Sequence, residues 1–482
     1  MAATIEKLRL TFPGSGKLLF KDLSIKISEG EKVLILGPSG SGKSTLLQVL
    51  TGLVPSAINL PLKYNKLIHP ESWGYVFQDP DSQFCMPYLD EEIAFVLENL
   101  GVPREDMLER IKNVLELVDL ELDELHTPIS QLSQGMKQRL AIASVLALKP
   151  STFFFDEPTA MLDPTGTEHI WNLIRSVTKD QTVIIVEHKI DHILDFVERV
   201  IVLDNAGQII ADGETNTIFK TYKQTLRDYG IWYPGVWQEY LESREWTTES
   251  PYQKQDPLIE LEDFQVLRRK EVKLTVPSLY VDPGEWICIT GENGAGKSTL
   301  LLGLMNVLRT KGTYKLNQMK VKKKDQVSNL LGFVFQNPEY QFVTNHVHEE
   351  IAFTLKQEKR SDEEIDKRVE EILHAFTLAQ HQQQHPYQLS IGQKRRLSVA
   401  TALVGKQLVL LLDEPTFGQD AKNTFALLEM METLKNQGVT IIMVTHDEEI
   451  VRSFATRVWN VEKGEVSEVE SLNIEMKRVE SR

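Results

Sequence analysis

At 482 residues the chain is long enough for two or three domains, each able to bury a core without disulfides or structural metals. Hydrophobic residues make up 41% and charged residues 25%, as in globular proteins, and the formal net charge of −16 argues against nucleic acid as the main partner. No apolar run reaches the roughly 18 residues that a bilayer-spanning helix needs, and Met1–Leu10 lacks the apolar stretch of a secretory signal.

In chain order, the apolar run Val33–Leu36 leads into Gly37-Pro38-Ser39-Gly40-Ser41-Gly42-Lys43-Ser44, and a helical pattern, "LLQVLTGL", runs from Leu46. "GYVFQDPDSQF" follows from Gly74, "EEIAF" from Glu91, the helical "DMLERIKNVLELV" from Asp106, and "QLSQGMKQRLAIASVLA" from Gln131. Two short apolar runs come next, "TFFFDE" ending at Glu157 and "TVIIVEH" ending at His188. Short apolar runs alternating with helices predict an α/β fold with a largely parallel sheet flanked by helices.

The pattern then repeats. "GENGAGKSTLL" starts at Gly291, "GFVFQNPEYQF" at Gly332, "EEIAF" at Glu349, "QLSIGQKRRLSVATALV" at Gln388, "LLLDEPT" at Leu410 and "IIMVTH" at Ile441. The spacings Lys43–Lys297, Ser133–Ser390, Asp156–Asp413 and His188–His446 are 254, 257, 257 and 258 residues, which two copies of one domain explain. The copies are placed at 1–230 and 258–482. The intervening 231–257 reads as a linker whose Trp232, Tyr233, Trp237 and Trp246 pack on a domain surface. Lys322-Lys323-Lys324 reads as a solvated turn, and Cys85 and Cys288 as buried free thiols suited to a reducing compartment.

The chemistry follows from the repeated segments. In G-x-x-x-x-G-K-[ST], glycines let backbone N–H groups wrap phosphates, and the helix N-terminus adds positive potential. The predicted cradles are Gly37, Pro38, Ser39, Gly40, Ser41, Gly42, Lys43, Ser44 and Thr45, and then Gly291, Glu292, Asn293, Gly294, Ala295, Gly296, Lys297, Ser298 and Thr299. Lys43 and Lys297 are expected to neutralise β- and γ-phosphate charge. Ser44 and Ser298 are expected to place hydroxyls on Mg²⁺. Asp156 and Asp413, at strand ends, are placed to hold Mg²⁺ through its water shell, and Glu157 and Glu414 to polarise the attacking water. This donor set calls for a nucleoside triphosphate and Mg²⁺.

With these motifs in place, each copy resembles an ABC-transporter nucleotide-binding domain. The most diagnostic segments are "LSQGMKQR" at Leu132 and "LSIGQKRR" at Leu389, which match the family signature. The resemblance implies two tandem P-loop NTPase domains, each a mainly parallel sheet with flanking helices plus a helical signature subdomain. It implies that Ser133 and Gly135 face the ATP held by Lys297, and that Ser390 and Gly392 face the ATP held by Lys43, giving two composite hydrolytic sites. Met136 stands where the family usually has Gln, a change expected to be tolerated. By the same resemblance Gln78 and Gln336 are the Q-loop glutamines that touch Mg²⁺, and His188 and His446 the switch histidines. Asp163 and Asp420 match the D-loop aspartates, although the second loop reads "FGQD" and not the commoner "SALD". Phe12 stands where the family stacks an aromatic on adenine; the second copy has Arg268 near that position.

The stretches "QDPDSQF" and "QNPEYQF" look like the short Q-loop helix of energy-coupling-factor importers. That resemblance implies a peripheral ATPase on the cytoplasmic face of the membrane. Its partners would be an integral-membrane scaffold and a substrate-binding subunit. The fused arrangement, with "EPTFGQDAKNTFALLE" from Glu414, resembles the ATPase that serves thiamine or its hydroxymethylpyrimidine precursor. Asp81, Glu91, Glu92, Glu339, Glu349 and Glu350 are offered as contacts for arginine-bearing coupling helices, against the alternative of solvated helix faces. A sugar-importer ATPase and a soluble tandem-ABC translation factor are the alternatives. The second is disfavoured by the acidic charge and the aromatic linker. A chromosome-maintenance ATPase lacks its inserted coiled coil here.

Overall fold

The structure, a computed structural model, describes residues 2–14, 16–244, 256–322, 325–405 and 407–469; Trp246, Lys323 and Lys324 lie outside them. The chain divides into two compact units, Met1–Val236 with Asp420–Lys422, and Trp237–Gln419 with Asn423–Arg482.

The first unit carries a six-stranded sheet in the order Ile209–Glu214, Arg199–Leu203, Lys32–Leu36, Thr182–Val186, Thr152–Asp156, Trp73–Val76. All pairings are parallel except that of the first two strands. Lys32–Leu36, Thr152–Asp156 and Thr182–Val186 are buried at every position, which is why they read as unbroken apolar runs: helices cover both faces of a parallel sheet. Ahead of it lies an antiparallel sheet built on Ala3–Thr11, which pairs with Leu18–Ile27, Leu62–Lys63 and Lys66–Ile68. The helices Leu89–Asn99, Arg104–Leu117 and Gln134–Ala147 form the predicted helical subdomain.

The second unit repeats this plan with its parallel strands in the order Arg457–Glu462, Trp286–Thr290, Thr440–Val444, Val409–Asp413, Leu331–Val334. Its antiparallel arm, Ile259–Arg268 paired with Glu271–Val281 and Arg309–Leu316, joins the same ten-stranded sheet through the bridge of Thr275 to Glu465. The helical subdomain is Val347–Gln357, Asp362–Ala375 and Ile391–Leu403.

Within the described part of the segment between the repeats, residues 231–244 hold more structure than the prolines suggest. A helix, Val236–Glu242, places Tyr240 in a stack on Phe425 at 3.9 Å and Trp237 edge-on to the same ring at 5.0 Å. Arg244 pairs with Glu432 and lies over the rings of Tyr240 and Phe454. In the first unit Tyr233 is buried under the ammonium of Lys223. Cys288 is buried, but Cys85 is exposed, against expectation. It sits in the irregular run before Leu89, its N–H given to Glu92, so its thiol points away from the core. Among the described residues no helix is long and apolar enough to cross a membrane.

Candidate functional site

Each phosphate-type loop joins a buried strand to a helix whose first turn has no side-chain cap, so the helix N–H groups face the loop. Gly42 and Gly296, at φ 94° and 118°, make the turn into that helix. Gly291, at φ 131°, has no room for a side chain: a Cβ there would stand 2.2 Å from the Val461 carbonyl oxygen. Lys43 is 6% exposed, and its Nζ donates to the carbonyls of Gly37 at 2.9 Å and Pro38 at 3.2 Å. Lys297 repeats this on Gly291 at 2.8 Å and Glu292 at 3.0 Å. Burial lowers the Lys43 pKa, partly offset by the charges of Glu157 and Asp156.

The loops fit a phosphate ligand. In the first, the hydroxyls of Ser39 and Ser41 are buried with no hydrogen-bond partner among the described residues, as expected of donors reserved for one. The donor set also fits Mg²⁺. Ser44 Oγ donates to Asp156 Oδ1 at 2.9 Å, and Ser298 bonds to Asp413. One hydroxyl and one carboxylate in each half leave the remaining positions of a Mg²⁺ shell to phosphate and water oxygens, which is how Mg²⁺ is usually bound.

The acidic pairs close the network. Burial raises the pKa of Asp156, opposed by hydrogen bonds from Ser44 and from Tyr75, whose hydroxyl lies 2.7 Å from Oδ2. Glu157 and Glu414 both occupy the left-handed region, at φ 48° and 47°, a strained backbone of the kind found at functional sites. Glu157 lies 3.2 Å from His188 Nε2 and accepts from Gln78 Nε2 at 2.8 Å. Burial alone would raise its pKa; the charge and hydrogen bond of His188, with Lys43, outweigh this and hold the carboxyl below its ordinary value. In the second half Glu414 lies 3.1 Å from His446, which also contacts Asn293 Oδ1 at 3.2 Å.

The structure thus gathers the loop, the acids and the histidine of each half. Ser133 and Ser390 stand elsewhere, as N-caps of the signature helices. The Ser390 cap is a complete capping box with Gln393; Met136 leaves the Ser133 cap with one partner, the N–H of Met136. Gly135 and Gly392 lie in the first turns of those helices. Phe12 and Arg268 are exposed.

Several site-forming residues escaped the sequence reading. Gln83 donates to the Ala141 carbonyl and Ser144, and Gln341 to the Ser398 carbonyl and Thr401, tying each Pro80–Ser82 or Pro338–Gln341 3₁₀ turn to its signature helix. Glu187, before His188, is fully buried, accepts from Thr159 at 2.8 Å, and is pushed up to about 7 by burial and by the Glu157 charge. The acids offered as partner contacts divide. Glu92 and Glu350 are 3% and 4% exposed and accept backbone N–H groups of Cys85 and Met86, and of Val343 and Thr344, so they are internal braces. Asp81 and Glu339 pair with Lys137 and Lys394.

A family model described as "ABC transporter" matches residues 20–160 and 274–417. The chain is 37% identical, over 94% of its length and 89% of the relative, to a protein of Bacillus subtilis (strain 168) provisionally named HMP/thiamine import ATP-binding protein YkoD. It is 33% identical, over 92% of its length and 86% of the relative, to an ABC transporter ATP-binding protein of Caldanaerobacter subterraneus subsp. tengcongensis. Among solved structures, one titled RNase-L Inhibitor superposes with a TM-score of 0.62 at 20% identity, covering 99% of this chain and 93% of that one, a likeness of fold alone. The repeated phosphate loop, acid pair and histidine, in a chain that matches the family twice, make this protein a member of the ABC transporter family: a tandem ATPase that uses ATP with Mg²⁺ to drive transport with membrane partners.

Proposed function

We propose that the chain is the ATPase of an energy-coupling-factor importer, peripheral on the cytoplasmic face of the membrane. It would work with an integral-membrane scaffold and a substrate-binding subunit, and its cargo would be a vitamin or vitamin precursor of the hydroxymethylpyrimidine or thiamine kind. The observation that carries this reading is the 3₁₀ turn directly after each Q-loop glutamine, braced onto the signature helix by Gln83 or Gln341. The HMP/thiamine name of the B. subtilis relative supports the cargo class.

Residues 1–230 and 258–482 form the two ATPase domains, joined by 231–257. In each, the loop lysine, Lys43 or Lys297, binds the phosphates. Glu157 and Glu414 accept the proton of the attacking water, oriented by His188 and His446. Ser44, Asp156 and Gln78 in the first half, and Ser298, Asp413 and Gln336 in the second, would hold Mg²⁺, which would supply neutralisation of charge on the phosphate oxygens. Ser133 with Gly135 and Ser390 with Gly392 supply further donors to the γ-phosphate, and Phe12 stacks on adenine.

The test is purification from detergent-solubilised membranes, with identification of the subunits that accompany the chain. Small integral-membrane proteins are expected. Recovery of ribosomes would favour instead a translation factor, a reading to which the net charge of −16 is already opposed.

A further inference from the structure

The two halves support equivalent machinery with different side chains, and the difference sits behind the Q-loop. Position 395 of the second signature helix is arginine; its counterpart in the first is Gln138. Arg395 is 3% exposed, and its guanidinium donates to the carbonyls of Phe335 at 2.6 Å and of Gln336 at 2.7 Å. Those carbonyls belong to the Q-loop glutamine and its neighbour, so the fork grips the backbone of Gln336 itself. Charge-assisted donors of this kind are about twice as strong as neutral ones. Gln138 is equally buried, at 2%, but its Nε2 has no partner among the described residues.

A second exchange accompanies the first. Tyr75, whose hydroxyl serves Asp156, is replaced in the second half by Phe333, which has no donor. Asp156 therefore has a tyrosine donor beside that of Ser44, for which the second half has no tyrosine counterpart. The glutamine side chains differ accordingly. Gln78 is tied to Glu157, whereas that of Gln336 makes no hydrogen bond among the described residues.

We propose that Arg395 is a positioning residue peculiar to the second site: it locks the backbone of Gln336 to the signature helix. The second Q-loop then moves with its signature helix as one piece, while the first keeps a freer backbone, so the two sites respond unequally to whatever pulls on their Q-loops. The lock stands on the two guanidinium bonds and does not depend on the role proposed above for Gln336.

Hydrogen exchange of the full chain without nucleotide tests the lock directly. Arg395→Gln is expected to speed exchange in residues 335–341 by roughly tenfold or more while residues 77–83 are unchanged. Arg395→Lys, with a single-pronged donor, is expected to fall between. Unchanged exchange in 335–341, or an equal rise across the whole second unit, would overturn the proposal.

Discussion

The carboxylate of Glu157 lies 3.2 Å from Nε2 of His188, and Glu414 stands in the same relation to His446 at 3.1 Å. Each glutamate sits in a strained left-handed backbone at the end of a buried strand, so the pair is held by the sheet and not by a flexible side chain. Replacing the histidine by alanine removes the imidazole partner of the glutamate, and at His446 also its contact to Asn293 of the phosphate loop. His188→Ala with His446→Ala is expected to lower kcat by roughly a hundredfold or more while ATP affinity changes little. Steady-state turnover and equilibrium binding of a fluorescent ATP analogue separate the two effects.

Gly291 accepts no side chain, because a Cβ would meet the Val461 carbonyl at 2.2 Å and because its φ is 131°. Gly291→Ala is expected to distort the second loop and remove its nucleotide site, leaving the first. Titration with a nonhydrolysable ATP analogue should find about one site per chain in place of two, since backbone N–H groups and not side chains make most of the cradle.

Tyr75→Phe installs the second half's residue in the first and leaves Asp156 Oδ2 without its donor. A loss of about 1 kcal/mol is expected in the stability of the first domain, the usual net value of one hydrogen bond. Urea unfolding followed by the intrinsic fluorescence of its tryptophans would measure it.

Glu187 gives a pH signature. Its ordinary value of 4.5 holds in the unfolded chain, and burial pushes it to about 7 in the fold. Between those values the unfolded state has lost a proton that the folded state keeps, so stability falls as pH rises, and the penalty is complete above 7. Glu187→Gln removes the penalty. The variant should match the wild type below pH 4.5 and exceed it by up to about 3 kcal/mol above pH 7, in chemical denaturation at the two extremes. A gain independent of pH would contradict this. The second half, with Thr445 at that position, carries no such carboxyl.

How much of this was legible depended on whether a feature is local. The phosphate loops, strand-end acids and signature helices were readable because glycine spacing and unbroken apolar strands encode them within a few residues. The antiparallel arms were not, although "TIEKLRL" alternates visibly, because their pairing with Leu18–Ile27 and the 62–68 strands depends on distant register. The helix Val236–Glu242 was hidden by Pro234-Gly235, yet Trp237, Tyr240 and Leu241 have the i, i+3, i+4 spacing that announces a buried face. Glu92 and Glu350 were misassigned because a helix-start acid looks the same whether it meets solvent or folds back onto loop amides. The Tyr75 bond to Asp156 follows from parallel pairing of Tyr75 beside Phe154, which no linear reading supplies.

Hydrolysis by the two strand-end glutamates is tested most directly in the double variant Glu157→Gln, Glu414→Gln. Purified full-length chain should still bind Mg²⁺-ATP and retain it unhydrolysed, with turnover reduced by at least about a hundredfold. Undiminished turnover in that variant would contradict the account.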